Sequence, residues 1–215
     1  MSDRKRLPLS LPLLEERSER VDAAANRKRI LAAARAVFAE RGADGTTMDA
    51  VACAAGVGKG TLFRRFGDRA GLCDALLNDS MAEFQDAFLS GPPPLGPGAP
   101  ASVRLEAFVD ELLRLTDAQL DLALAAARAT AAGAQVSVHS SLALFVRVMV
   151  AEIDASLDGE VVADLLLGAI SPGVVYHLRR DRGIELERLQ VAARALLRGL
   201  IATPDGQPAP PATRA

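Results

Sequence analysis

Apolar residues recur at helical spacing along most of the chain. Ile30, Leu31, Ala34, Val37 and Phe38 make the first clear stripe, which predicts a helix opening at Asp22 or Asn26 and ending near Arg41, ahead of Gly42. A shorter stripe follows in Met48, Val51, Ala52 and Ala55, with Thr46 and Thr47 as candidate caps and Gly56 as the stop. Thr46 and Asp49 have the spacing of a capping-box pair. A second short helix starts near Gly58 or Lys59 and carries Thr61, Leu62, Phe63, Arg64, Arg65 and Phe66. Asp68 caps the next, which starts at Arg69 and runs to about Phe88, with Leu72, Leu76, Met81, Phe84 and Phe88 roughly along one side. Ser90 to Pro100, SGPPPLGPGAP, cannot support a helix and predicts a mobile surface loop. Beyond it, helices are predicted near 102–116, 117–131, 135–157, 160–181 and 185–202, with Pro172-Gly173 kinking the fourth of these. Residues 1–21, with Pro8 and Pro12, and residues 203–215, rich in Pro and Ala, read as flexible tails.

Two short helices joined by a Gly turn, the second basic and aromatic, form a helix-turn-helix pattern. The free N–H groups and positive dipole end of the second helix attract phosphate, and Lys59, Thr61, Arg64 and Arg65 suit base edges or phosphates. The same letters, GVGKGT, also resemble part of a phosphate-binding P-loop. That motif needs a preceding strand and a leading Gly, and the Gly position is held by Cys53 within an Ala-rich helical run.

Composition sharpens this picture. Half of the 215 residues are hydrophobic, only 4% are aromatic and there is no Trp, so an aliphatic, all-α core is expected. The net charge of −2 hides an asymmetry: residues 1–72 carry 14 Lys and Arg against 9 Asp and Glu, whereas residues 73–215 carry 11 against 18. A basic head on an acidic body points to nucleic acid at one end only. Cys53 and Cys73 have no metal-ligand spacing; Cys53 should face outward and Cys73 should pack inward. No metal, cofactor or catalytic residue is expected, because the chain lacks an HExxH, a nucleophile elbow or a clustered acid–base set. The longest uncharged stretch near a helix, Ala129 to Val146, is too polar to span a bilayer, so a soluble cytoplasmic protein without a membrane partner is expected.

Residues 26–77, NRKRILAAARAVFAERGADGTTMDAVACAAGVGKGTLFRRFGDRAGLCDALL, resemble the N-terminal domain of TetR-family transcriptional regulators. The resemblance rests on the first helix with its Gly stop, TT before the first short helix, AGV at the turn, and GTLF followed by a second Phe. It implies an all-α protein with an N-terminal three-helix DNA-binding domain at 22–68 and a larger helical effector-binding and dimerisation domain at 69–202. It also implies DNA-contact roles for Thr47, Met48, Lys59, Gly60, Thr61, Phe63, Arg64, Arg65 and Arg69. Phe63 stands where the family usually has Tyr, so a phosphate contact through a hydroxyl is missing. Gly58 stands where Ser is common, so its side-chain cap is missing too.

The last helices carry the association signal. Leu186, Leu189, Ala193, Leu196, Leu197 and Leu200 form a stripe wider than one core needs, as do Val161, Leu165, Leu166, Ala169, Val174, Val175 and Leu178. A homodimer built on Leu166, Val174, Leu178, Leu189, Leu196 and Leu200 is expected, presenting two heads to a palindromic double-stranded operator. A small hydrophobic effector is expected within 102–181, with His139, Arg147, Tyr176 and His177 as candidate polar anchors. The alternatives are a helical interaction module without DNA binding, and a P-loop nucleotide enzyme.

Overall fold

The computed structural model describes residues 12–127 and 135–201; the expected C-terminal tail and the first eleven residues of the N-terminal one lie outside them. All described elements are helical, with no strand among the described residues. The chain divides into two compact units, Met1–Leu76 and Leu77–Ala215, so the division falls inside a helix rather than at 68/69.

The first unit holds α1 (Pro12–Gly45), α2 (Met48–Ala55), α3 (Lys59–Phe66) and the start of α4 (Arg69–Ser90). Helix α1 begins ten residues before Asp22, at Pro12, so the stretch 12–21 is helical rather than part of a tail. Proline tolerates the first helical position because the N–H it lacks has no partner there. Gly42 leaves helical geometry at φ 68°, as its place in the pattern predicts. Ile30, Leu31, Ala34 and Val37 are buried with Val51, Ala52, Ala55 and Leu62, and α2 packs on both α1 and α3.

The cap of α2 differs from the expected Thr46–Asp49 pair. Thr47 is the N-cap and its Oγ1 accepts from the Ala50 N–H at 3.2 Å. Thr46 is instead buried, and its hydroxyl donates to the Gly42 carbonyl at 2.7 Å, tying the turn to the end of α1. Gly56 closes α2 in the left-handed region at φ 62°, where a side chain would be strained. Asp68 caps α4 through the Gly71 N–H at 2.9 Å. Gly71 is required for close approach: a Cβ there would lie 2.0 Å from the Phe66 carbonyl oxygen.

The second unit continues α4 and adds α5 (Ala101–Ala118), α6 (Leu120–Ala127), α7 (Gln135–Ile153), α8 (Gly159–Ala169), α9 (Pro172–Tyr176), a π-helical turn (His177–Asp181) and α10 (Leu186–Ile201). Helix α5 is central and packs on α7, α9 and α10. The core is not purely aliphatic. Phe84, Phe88, Phe108 and Phe145 meet with ring centroids 4.6–5.4 Å apart, so four of the seven phenylalanines converge on one point. A low aromatic fraction does not reveal that the few aromatic residues cluster.

The loop 90–100 is tied down rather than free. Leu95 packs on the core, Gly96 donates to the Pro92 carbonyl at 3.0 Å, and Arg104 donates to the carbonyls of Leu95 and Phe88 at 3.3 and 2.9 Å. The helix expected over 160–181 is broken at Ile170–Ser171, because Pro172 starts a new helix instead of kinking the old one. By length and composition alone, Gly159–Asp181 is apolar enough to cross a membrane. The break and the π-helical turn interrupt its backbone ladder, which a lipid-exposed helix must keep satisfied.

Candidate nucleic-acid interface

Helix α3 is short because glycine bounds it on both sides, Gly58 at its N-cap and Gly67 at its C-cap. Gly58 provides no side-chain cap, so the first N–H groups of α3 lack that partner. Leu62 and Phe66 face inward and are buried, which turns Lys59, Gly60, Phe63 and Arg64 outward. Thr61 is half-buried beside them, and its N–H donates to the Gly58 carbonyl at 2.9 Å. Phe63 is 40% exposed, a large apolar surface held out on a basic helix. Thr47 is exposed at the start of α2, and the Thr47 cap fixes that end of the helix.

Three expected contact residues are placed differently from the rest. Met48 is buried in the first unit and packs there instead of presenting its side chain. Arg65 is half-buried, and its guanidinium donates to the Ala23 carbonyl of α1 at 2.7 Å, so it braces α3 against α1. Arg69 is half-buried at the first residue of α4. Arg27 adds a second brace, its guanidinium 5.5 Å from the Phe66 ring centroid. Sequence periodicity missed these braces, because Ala23 to Arg65 is a long-range side-chain contact with no local pattern. Asp49 was also missed as a partner of the site: both its oxygens face Lys59 Nζ, at 2.7 and 2.9 Å.

The cysteines fall where the helical phase puts them. Cys53 is exposed on α2 and Cys73 is buried in α4, its thiol pushed up chiefly by burial. A raised thiol has little thiolate to react.

In the second unit, three of the four expected anchors have described side chains. Arg147 is exposed on α7, Tyr176 packs partly on the core, and His177 is exposed and paired with Asp181 at 2.9 Å. His139 belongs to α7, and its side chain lies outside the described residues. On α8 the outward apolar residues differ by one position from the expected Leu166. Leu166 packs on the core, whereas Val161 and Leu165 point outward. Leu165 is 69% exposed, and on α10 Leu196 is 76% exposed with Leu200, one turn on, also exposed. Val174 is exposed, while Leu178 and Leu189 are half-buried.

Residues 30–76 match the model of the family described as bacterial regulatory proteins, tetR family. The chain is similar in structure to a TetR-family transcriptional regulator from Pectobacterium atrosepticum, at 24% identity and a TM-score of 0.69, covering 86% of this chain and 98% of that one. A TetR-like transcriptional regulator from Rhodococcus sp. is 26% identical with a TM-score of 0.54, covering 84% and 98%. AibR in complex with isovaleryl coenzyme A and operator DNA is 19% identical with a TM-score of 0.51, covering 80% and 97%. No curated protein is significantly similar in sequence.

Proposed function

We propose that this chain, whose residues 30–76 match the tetR family of bacterial regulatory proteins, is a cytoplasmic, non-enzymatic repressor that binds a palindromic operator as a homodimer. The observation that carries the reading is the outward face of α3. Lys59, Phe63 and Arg64 stand exposed on a helix whose N-terminal N–H groups have no side-chain cap, next to the exposed Thr47 of α2. That arrangement suits a duplex: the uncapped N–H groups and cations take phosphates, and Lys59, Thr61 and Arg64 reach base edges in the major groove. Phe63 packs on the sugar–phosphate backbone. Arg65 and Met48 serve the site from within, by holding α3 and α2 in place.

One head gives few contacts. Two heads on a twofold axis read half-sites about one helical turn apart, roughly 34–36 Å. The outward apolar faces of α8 and α10 support such pairing, since Val161, Leu165, Leu196 and Leu200 otherwise face water. A relative of the same fold is described with isovaleryl coenzyme A and operator DNA, which favours a small molecule with a hydrophobic part as the effector. Effector binding in the second unit shifts the population toward a form with its heads misplaced for the operator, and α4, which runs through both units, carries the coupling. A typical coupling of ~1–3 kcal/mol weakens operator binding about 5–150-fold.

The test is selection of bound duplexes from a random-sequence pool, followed by titration of the selected site. Wild-type protein should enrich a palindrome, and the double substitution Lys59→Ala, Thr61→Ala should weaken that site more than mixed DNA. Unchanged preference in the double variant sinks the assignment of α3 as the reading helix.

A further inference from the structure

We infer that Asp49 is a specificity-determining residue that holds Lys59 away from non-specific phosphates, so that the reading helix meets arbitrary DNA with one cation fewer. The inference rests on the DNA-binding reading above and extends it to a residue that would not itself attract nucleic acid.

Lys59 is the first residue of α3, where no acidic side chain occupies the first turn. A cation there opposes the positive end of the helix dipole. Its ammonium is not left to solvent: it lies 2.7 Å from Asp49 Oδ1 and 2.9 Å from Oδ2, engaging both oxygens as it would engage a phosphate. The carboxylate sits in the first turn of α2, where the dipole favours it, and the ammonium also lies 5.8 Å from the Phe63 ring centroid. Both partners are more than half exposed, at 59% and 66% of their side-chain surface, so the pair stands on the outer face of the helix pair rather than beneath it.

A duplex approaching this face therefore meets a neutral pair where the sequence alone suggests a cation. A randomly placed phosphate must compete with a carboxylate already in contact. Exposed pairs of this kind hold their partners by only about 1.4- to 5-fold in the equilibrium constant. That is enough to discourage a chance phosphate contact. It is small beside the about 5- to 150-fold discrimination that one well-placed base contact supplies, so the right groove acceptor still draws Lys59 out.

Asp49→Asn removes the charge and keeps the size of the side chain. The experiment uses the full chain and a fluorescently labelled mixed-sequence duplex, titrated by anisotropy across a sodium chloride series. Asp49→Asn should tighten binding about 2- to 5-fold at low salt. It should also steepen the plot of log affinity against log salt by about 0.9, the signature of one added phosphate contact. In a Lys59→Gln background the same substitution should leave that slope unchanged, because the cation to be released is gone. Wild-type binding with no change of slope in Asp49→Asn, a steeper slope that persists without Lys59, or weaker binding by Asp49→Asn each overturns the inference alone. Failure of the wild-type chain to bind any duplex at low salt overturns the DNA-binding reading and this inference with it.

Discussion

Leu196 and Leu197 are adjacent on α10 and should fail in opposite ways when cut to Ala. Leu197 is 1% exposed and belongs to the core of the second unit, whereas Leu196 is 76% exposed. Cutting Leu197 leaves a cavity and should lower monomer stability by about 2–5 kcal/mol. Cutting Leu196 removes three carbons at about 0.8 kcal/mol each if a partner buries them, scaled by the exposed fraction to about 2 kcal/mol per copy. A twofold interface contains the site twice, so the dimer should lose about 4 kcal/mol, on the order of 10²–10³-fold in its dissociation constant. Sedimentation velocity over a dilution series reads the second effect. Urea unfolding at a fixed, stated protein concentration reads the first, because dimer formation itself adds to apparent stability. The expected result is a Leu196→Ala chain that is folded but dissociated, and a Leu197→Ala chain whose unfolding midpoint collapses. If wild-type protein is monomeric at every concentration, or Leu196→Ala leaves the dissociation constant in place, α10 does not carry the interface.

Two further outcomes follow from the ion pairs of the second unit. Arg179 donates Nε to Asp117 Oδ1 and Nη1 to the Ile184 carbonyl, each at 2.7 Å, with side chains only 22% and 19% exposed. Arg179→Ala should cost about 2–3 kcal/mol in urea unfolding, and adding Asp117→Asn should recover part of it by removing the stranded carboxylate. The Arg198 guanidinium, through its hydrogen bond, holds the Glu106 carboxyl below its ordinary 4.5. A carboxyl depressed in the folded state stabilises the fold at neutral pH and loses that contribution as pH falls below about 4.5. Glu106→Gln should therefore flatten the acid limb of a stability–pH curve and leave its slope near neutrality alone.

Local rules made most of the first unit legible. The Gly56 stop, the inward phase of Leu62 and Phe66, the Asp68 cap and the opposed fates of Cys53 and Cys73 all follow from helical spacing and the conformational freedom of glycine. Errors arose where two residues competed for one local role, as when Thr47 rather than Thr46 became the cap. They also arose where a long-range contact decided the outcome. The loop 90–100 looks free because Pro and Gly prevent a helix, yet Arg104 reaches back to two of its neighbouring carbonyls and holds it. Arg65 reads as a phosphate ligand beside Arg64, and helical spacing does not reveal that one of its N–H groups reaches the Ala23 carbonyl of α1.

The rotation of α10 shows why a wide apolar stripe alone cannot place an interface. Leu186, Ala193 and Leu197 pack on or into the core. On one flank of that line, Gln190 donates to the Asp110 carbonyl, Arg194 pairs with Asp110, and Arg198 pairs with Glu106, all on α5. These three polar residues recur every four positions and fasten α10 to α5 along a single row. With the core line and the polar row both committed, the remaining apolar flank, Leu196 and Leu200, must turn outward. The charged row thus does two things: it holds the helix to its own chain, and it decides which leucines are left for a second one. Leu189 and Leu196, seven positions apart, share that apolar flank, so one being half-buried and the other facing out reflects their places along the helix rather than its rotation.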